Sequence, residues 1–181
     1  MLFQFQVQIS EKDYLEYNKF HMFRSPYGRK IIRGMRIAVA VIFGLFILLS
    51  LLGGKFSASA WIGALPYAIL LIVFEAVLVP FMSSSFKSTL KKMKKTGKMA
   101  YSPSSVLAFY DEYLLETAQT NRTQQTYSSI ERISIVDQKM MYIHVNNVMA
   151  YLLPLSAFAS QEEYERFLAF IKTKCDKIDI Y

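Results

Sequence analysis

The sequence predicts a hairpin of two membrane-spanning helices followed by a small α+β domain. Three observations support this fold class: two long apolar stretches, a basic cluster on the far side of each, and a series of short alternating segments that ends in an amphipathic helix. Residues 37–54 carry no charge, and residues 58–82 carry only Glu75. Because a helix needs roughly 20 apolar residues to cross a bilayer core, we expect spans at about 37–54 and 60–82.

A buried helical hairpin in a soluble protein is the alternative interpretation of these stretches. It is disfavoured because core helices rarely remain apolar on every face for this length. A cleavable signal peptide is also disfavoured, since the first apolar stretch begins far from Met1 and lacks a small-residue cleavage pattern. Cys175 is the single cysteine, so no internal disulfide is expected.

The net charge of +7 is concentrated beside the apolar stretches. Residues 24–98 carry 12 positive charges and one negative charge, whereas the rest of the chain is mildly acidic. Lys55 alone lies between the stretches, and the other members of the cluster are Arg24, Arg29, Lys30, Arg33, Arg36, Lys87, Lys91, Lys92, Lys94, Lys95 and Lys98. This pattern is juxtamembrane and disfavours a nucleic-acid-binding face.

The same charges predict the orientation. Basic residues near span ends remain on the cytoplasmic side, so both ends of the hairpin are expected in the cytoplasm of a cell-membrane protein. Residues 53–59 would then form a short external loop, with Trp61 and Tyr67 near the outer interface. The basic clusters either fix topology and contact anionic headgroups, or form a specific lipid site or a phosphorylation-controlled switch.

Glu75 is the one ionisable residue inside a predicted span. Intramembrane acids are candidate functional residues because burying a carboxylate there costs roughly 3 kcal/mol. Counting equal depths from the ends of the two stretches places Gly44 beside Glu75, and Arg36 or Arg33 within reach of it. A structural role is therefore expected, and a transport or proton-relay role is the alternative.

Short elements are predicted outside the hairpin. Residues 3–9 alternate apolar and polar side chains, which indicates a half-buried strand that needs a partner from the later domain. A helix capped by Ser10 and Asp13 follows, and Pro26 is expected to end or interrupt it.

Residues 101–154 indicate a β meander. Strands are predicted at 106–110, 113–120, 124–136, 140–145 and 148–153, with turns at 111–112, 121–122, 137–139 and 146–147, and Pro154 ending the sheet. A final helix is predicted to begin after Ser160, with Glu163 as its third residue. Its apolar face consists of Tyr164, Phe167, Leu168, Ile171 and Cys175. A small α+β domain, or an antiparallel sheet forming a partial barrel with a C-terminal helix, is expected.

The pattern resembles the YcxB-like family of bacterial membrane proteins. The resemblance rests on Ser10 to Tyr14, Ser25-Pro26-Tyr27, the hairpin, Tyr127 to Ile130, Met141 to Ile143, and Leu153-Pro154 with the residues from Phe158 to Glu163. It implies a pleckstrin-homology-like C-terminal domain and carries no established activity.

The domains expected are therefore 1–36 (strand, amphipathic helix and basic juxtamembrane segment), 37–82 (hairpin), 83–99 (Lys-rich linker) and 100–181 (YcxB-like domain). No residues are predicted to be catalytic, cofactor-binding or metal-ligating, because His21, His144 and Cys175 form no ligand pattern and no phosphate-binding glycine loop exists. We expect a membrane-anchored interaction or regulatory module without enzymatic activity or cofactor. It would contact anionic headgroups and bind a protein partner or itself. A small oligomeric transporter- or channel-like protein using Glu75 is the alternative.

Overall fold

The computed structural model describes residues 1–97, 101–147 and 149–181, and divides the chain into two compact units. Met1–Glu11 and Ala100–Tyr181 form the β unit, and Lys12–Met99 form the helical unit. Two long apolar helices and a small domain of antiparallel sheets with a C-terminal helix are thus confirmed. The sequence of the helical unit is inserted into that of the β unit.

The helical unit begins with a short helix and a π-helical turn. Helix α1 comprises Glu11–Lys19, and the turn comprises Phe20–Arg24. Ser25 is extended and caps helix α2, Pro26–Gly53, by accepting a hydrogen bond from the Gly28 N–H at 3.0 Å. The interruption expected at Pro26 is confirmed, because a residue before proline avoids the helical region while proline itself suits the first helical turn.

Helix α3 comprises Ala58–Thr96 and is longer than the predicted span. It continues through the described part of the Lys-rich segment, so residues 83–96 are helical. Its 39 residues correspond to about 58 Å, against roughly 30 Å for a bilayer core. Both α2 and α3 are long and apolar enough to cross a membrane, and only 6% and 11% of their most apolar windows are buried.

The β unit contains two four-stranded sheets. The first has the order β1-β2-β3-β4 and is wholly antiparallel. The second has the order β7-β6-β5-β8, in which β8 alone runs parallel to its neighbour. The strands are β1 Phe3–Gln8, β2 Ser104–Phe109, β3 Tyr113–Ala118, β4 Arg122–Thr126, β5 Arg132–Val136, β6 Met140–His144, β7 Ala150–Pro154 and β8 Ile178–Ile180.

The N-terminal strand pairs with the C-terminal domain, as its lack of a local partner predicted. β1 lies antiparallel to β2, with a register from Phe3 opposite Phe109 to Gln8 opposite Ser104. Phe5 and Val7 are buried, whereas the alternating Gln4, Gln6 and Gln8 are exposed. The alternation in the sequence therefore separates the core face of β1 from its outer face.

The single long strand predicted at 124–136 is wrong. The chain forms β4, a 3₁₀ turn at Tyr127–Ser129, and then β5 in the other sheet. Tyr127 turns inward, is buried, and donates from its hydroxyl to the Tyr110 carbonyl at 2.7 Å. This corner allows the chain to cross from one sheet to the other, which a continuous strand would prevent.

The turns predicted at 111–112, 137–139 and 146–147 agree with the structure, whereas the turn predicted at 121–122 lies at 119–121, because Arg122 already belongs to β4. The predicted turn at 137–139 joins β5 to β6, with Asp137 and Gln138 at φ angles of 50° and 51° and the Lys139 N–H donating to the Val136 carbonyl at 3.0 Å. The side chain of Asn146 accepts from the Met149 N–H at 2.7 Å in the next turn. Val148, expected at the start of a strand, lies outside the described residues, and β7 ends at Pro154 as predicted.

Helix α4, Gln161–Lys172, confirms the predicted C-terminal helix and its cap. The Ser160 hydroxyl accepts from the Glu163 N–H at 3.2 Å, and Glu163 in turn accepts from the Ala159 N–H at 2.7 Å. Phe167 and Ile171 are fully buried. The Phe167 ring lies within 5.4 Å of four other rings, those of Phe3, Phe5, Phe109 and Phe158.

Candidate functional sites

The acidic residue of α3 forms an ion pair with α2. Glu75 Oε2 lies 3.0 Å from Arg36 Nε, and the two side chains are 38% and 45% exposed. This confirms the expectation that Arg36 reaches Glu75. The carboxylate thus has a partner of opposite charge, as ionisable groups on membrane helices commonly do.

The predicted position of Gly44 beside Glu75 is wrong. A Cβ atom built on Gly44 would have no atom within 4 Å other than those of its chain neighbours and of the adjacent backbone of its own helix. The helix register explains the error, since Phe46 stacks on Tyr67 with ring centroids 5.4 Å apart and Arg36 is level with Glu75. The register follows from the connection between the helices, not from the ends of the apolar stretches.

Small residues make the close contact of the hairpin near that connection. A Cβ on Gly54 would lie 2.4 Å from the Ala60 Cβ, and a Cβ on Gly63 would lie 3.2 Å from the Ser50 hydroxyl. Ser50 Oγ also approaches the Ala60 carbonyl oxygen at 3.4 Å. The sequence signal was the presence of Ser and Gly on one helix opposite Ala and Gly on the other, which is typical of tightly packed helices.

The basic residues cluster at the end of the hairpin opposite this connection. Arg24 belongs to the π-helical turn and lies 5.9 Å from the centre of the Phe20 ring. Every member of the cluster that the structure describes is surface-exposed, and Lys98 lies outside the described residues. The exposed members on the long helices are Arg29, Lys30, Arg33 and Arg36 of α2 and Lys87, Lys91, Lys92, Lys94 and Lys95 of α3.

The basic ends of the two helices are held together by packing. Phe86 of α3 contacts Phe23 of the π-helical turn at 6.4 Å between ring centroids. Gly28 allows α2 to begin against that turn, since a Cβ there would lie 2.2 Å from the His21 and Met22 carbonyl oxygens. The basic cluster therefore lies on helical segments that pack against one another.

The acidic turn at 111–112 of the β unit is hydrogen-bonded to Lys174, which follows the end of α4. Lys174 Nζ donates to Asp111 Oδ1 at 2.8 Å, and the same ammonium lies over the rings of Tyr127 and Phe170 at 5.7 and 5.6 Å. The hydrogen bond and the charge of Lys174 hold the pKa of Asp111 below its ordinary value. This turn carries negative charge and uses a nearby lysine internally, so it does not present a basic loop to a phosphate.

One carboxyl group faces the interior of the first sheet. Glu116 lies opposite Leu107 on the same face as the buried Phe109 and Leu114. Burial raises its pKa, and a hydrogen bond from Ser105 partly opposes that effect. Burial, together with the charge of Glu116, also raises the pKa of Tyr151. The proximity of Glu116 and Tyr151 was not foreseen, because it depends on two strands distant in sequence.

An open groove lies beside the second sheet. It has a volume of about 560 Å³ and is bounded by β5, β8, the 3₁₀ turn Leu155–Ala157 and the first turns of α4. Its apolar wall consists of Ile135, Leu155, Phe158, Tyr164 and Ile180, and the other lining side chains are uncharged polar groups. The groove was not expected from the sequence, because β8, one of its borders, was not predicted.

The two histidines are placed in aromatic surroundings. His144 is buried in β6 and contacts the edge of the Tyr142 ring, and His21 lies between the Tyr17 and Tyr27 rings. Over residues 1–97, 101–147 and 149–181, no group of three or more His, Cys, Asp and Glu side chains is arranged to hold a metal ion.

Residues 109–171 match the model of the YcxB-like protein family. This C-terminal segment resembles that family. The matched segment covers roughly a third of the chain and runs from the end of β2 into α4. The match confirms the resemblance based on residues such as Tyr127, Tyr142 and Pro154. No curated protein and no solved structure matches the chain.

Proposed function

We propose that the protein is a membrane-anchored interaction module. The helical unit spans the cell membrane twice, and the β unit is a pleckstrin-homology-like domain on the cytoplasmic side that binds protein. The observation that carries the proposal is the insertion of the hairpin between β1 and β2, which are neighbouring strands of one sheet. Two segments that pair in one sheet lie on the same side of a bilayer, so the inserted segment must cross it an even number of times.

The surface of the hairpin supports its insertion. Large apolar side chains along α2 and α3 are exposed, among them Leu49, Ile62, Ile72 and Phe81. A core helix of a soluble protein would bury such side chains, whereas a lipid environment accommodates them. The exposed basic cluster at one end supports a cytoplasmic orientation for that end.

The strand arrangement supports the pleckstrin-homology-like assignment. The β unit has a four-stranded antiparallel sheet, a second antiparallel meander of β5 to β7, and a helix over the aromatic core, and the YcxB-like resemblance implies a domain of the pleckstrin-homology-like type. Fold alone does not determine a ligand. Residues 99–181 carry seven basic and ten acidic side chains, and the first turn holds Asp111. This charge favours a protein ligand over a phosphoinositide, which would need paired basic donors.

Topology is tested with reporters and a cysteine label. Reporters fused before Met1 and after Tyr181 should both read cytoplasmic. In a Cys175→Ala background, Ser57→Cys should react with an impermeant thiol reagent from outside the cell. An external reading at Tyr181 would contradict the proposed topology.

Ligand class is tested on a single-chain β unit in which a short glycine-containing turn replaces residues 10–102. The Ile9 N–H donates to the Pro103 carbonyl at 2.9 Å, so a tight connection suits this end of the sheet. After a cooperative thermal transition has confirmed folding, this protein should not sediment with phosphoinositide vesicles at physiological salt. Headgroup-selective sedimentation would overturn the assignment of a protein ligand.

A further inference from the structure

The second sheet ends in a short strand whose outer edge is unoccupied among the described residues. The Ile133 N–H donates to the Lys177 carbonyl, and the Tyr181 N–H donates to the Ile135 carbonyl, at 2.8 and 2.9 Å. In a parallel ladder alternate residues bond to the neighbouring strand, so Ile178 and Ile180 direct their backbone N–H and C=O groups outward. Such an edge is a template for another extended chain.

The side chains on this edge border the open groove. Ile180 shares a face with its register partner Ile135, and both line the groove. Ile180 is 76% exposed, the largest value among the exposed apolar side chains. A strand added outside β8 would place alternate side chains on the same face, beside Tyr164 and Phe158 of the groove wall.

The charges around the groove indicate the chemistry of the segment that would bind there. The lining has no charged side chain. Three exposed acids and one exposed base flank it: Asp137 precedes and Lys139 follows the lining residue Gln138, Asp179 precedes Ile180, and Glu165 accepts a hydrogen bond from Gln161 at 3.0 Å. The acids therefore outnumber the base. An extended segment with apolar residues at alternate positions and basic residues between them complements both features.

We propose that the outer edge of β8 and the adjoining groove bind such a segment of another protein by strand addition. This inference rests on the proposed function, since it assigns the protein-binding surface and the chemistry of the bound segment. Pairing with β8 of a second copy is disfavoured, because matching Ile178 to Ile180 would place Asp179 opposite Asp179.

The test uses the full-length protein in native membranes with a photoreactive phenylalanine analogue at Tyr164, which lines the groove. The matched control carries the same analogue at Tyr113, on the first sheet. Mass spectrometry of the cross-linked peptides should identify, from Tyr164, a segment of another protein with alternating apolar and basic or polar residues. A cross-link to lipid only, or to a second copy of this chain, would overturn the proposal.

Two substitutions test the strand geometry. Ile180→Pro removes an outward N–H without removing a bond to β5, and should lower the cross-link yield at least tenfold with an unchanged melting temperature. Ile180→Val keeps that N–H and should retain the yield within twofold. If proline releases β8, Gln161→Arg serves instead, since a positive charge in the groove should also lower the yield at least fivefold. A cross-link insensitive to both Ile180→Pro and Gln161→Arg contradicts the proposal.

The control at Tyr113 distinguishes failure of the groove proposal from failure of the proposed protein-binding function. Protein cross-links from Tyr113 with none from Tyr164 would reject the groove while leaving the protein-binding function standing. An absence of protein cross-links from both positions would reject both.

Discussion

Phe167 of α4 has no exposed surface, whereas 68% of Phe81 in α3 is exposed. The same side chain is thus used in opposite ways in the two units. In the β unit, aromatic rings pack against one another inside the sheets, and polar residues such as Gln4 and Gln6 face outward. In the helical unit many apolar side chains face outward, and the helices meet through small residues, the stacked rings of Phe46 and Tyr67, and the ion pair between Arg36 and Glu75. This difference is the one that the proposed insertion of the helical unit into a membrane requires.

Removing β1 should have the largest effect on the β unit. Deletion of residues 1–9 exposes the edge of β2 and eliminates the buried side chains of Phe5 and Val7, each of which contributes roughly 1.5–3 kcal/mol. With the lost pairing, the cost reaches about 5 kcal/mol or more, comparable to the whole stability of many domains. Chemical denaturation should show a β unit that no longer unfolds cooperatively. A fragment beginning at Ala100 that matches the full chain in stability would contradict this.

A pair of Phe→Ala substitutions sharpens the comparison. Phe167→Ala leaves a cavity among four rings and should destabilise the β unit by about 3–5 kcal/mol. Phe81→Ala should change the unfolding of the detergent-solubilised protein by less than about 0.5 kcal/mol, because its side chain packs against no core. Urea titrations monitored by near-ultraviolet circular dichroism measure both. Equal effects would mean that the two units are not built on opposite burial patterns.

Two Gly→Leu substitutions test where the helices meet. Gly54→Leu forces side-chain atoms onto Ala60 and should weaken hairpin packing by about 1–3 kcal/mol. Gly44→Leu should be tolerated, since nothing lies near its Cβ position. Disulfide trapping between cysteines at Phe46 and Tyr67, whose rings stack, reports the packing in membranes. Greater loss of trapping in Gly44→Leu than in Gly54→Leu would show that the register is different.

The elements that the sequence did not reveal share a physical cause. β1 was predicted to join the later sheet because its alternation is local and an isolated strand is unstable. β8 was missed because three residues carry too little periodicity, and it pairs with β5, which lies more than 40 residues earlier in the chain. The prediction that Arg36 reaches Glu75 was confirmed, and the prediction that Gly44 lies beside Glu75 was wrong. The register between the two helices depends on their connecting turn, in which Lys55 and Phe56 adopt positive φ. The groove could not be foreseen without β8.

Neutralising Glu75 should have a small effect if the acid is structural. Glu75→Gln removes a partly exposed ion pair, and such pairs contribute about 0–1 kcal/mol. Insertion and thermal stability in nanodiscs should therefore remain nearly unchanged, with Arg36→Gln as the matched variant. Proton or ion flux in liposomes that disappears in Glu75→Gln would instead support the transporter-like alternative.

The smallest expected effects are pH-dependent and occur in the β unit. The lowered pKa of Asp111 means that its bond to Lys174 stabilises the fold above the unfolded pKa, near 3.8, and that this contribution is lost as the pH falls through the folded value. Glu116 has the opposite sign, since its raised pKa means that the fold gains stability as the pH falls through the folded value toward the unfolded one, near 4.5.

Thermal melts between pH 3 and 7 test both signs. Asp111→Asn should reduce the loss of stability at the acid end, and Glu116→Gln should remove the gain that appears just above pH 4.5. Ser105→Ala, which deletes the hydrogen bond that opposes the shift of Glu116, should enlarge that gain. A Glu116→Gln profile identical to that of the unsubstituted protein would contradict the assignment.

The insertion of the hairpin between two neighbouring strands also constrains how the protein is made. Phe3 pairs with Phe109, so the ribosome must synthesise about 95 further residues after β1 before its partner strand exists. At 5–20 residues per second that delay is about 5–20 s. During this interval β1, with its alternating phenylalanines, has no partner strand while both apolar helices emerge from the ribosome. The first sheet can therefore be completed only after the hairpin has been synthesised. The pairing of β1 with β2 thus couples folding of the β unit to synthesis of both apolar helices.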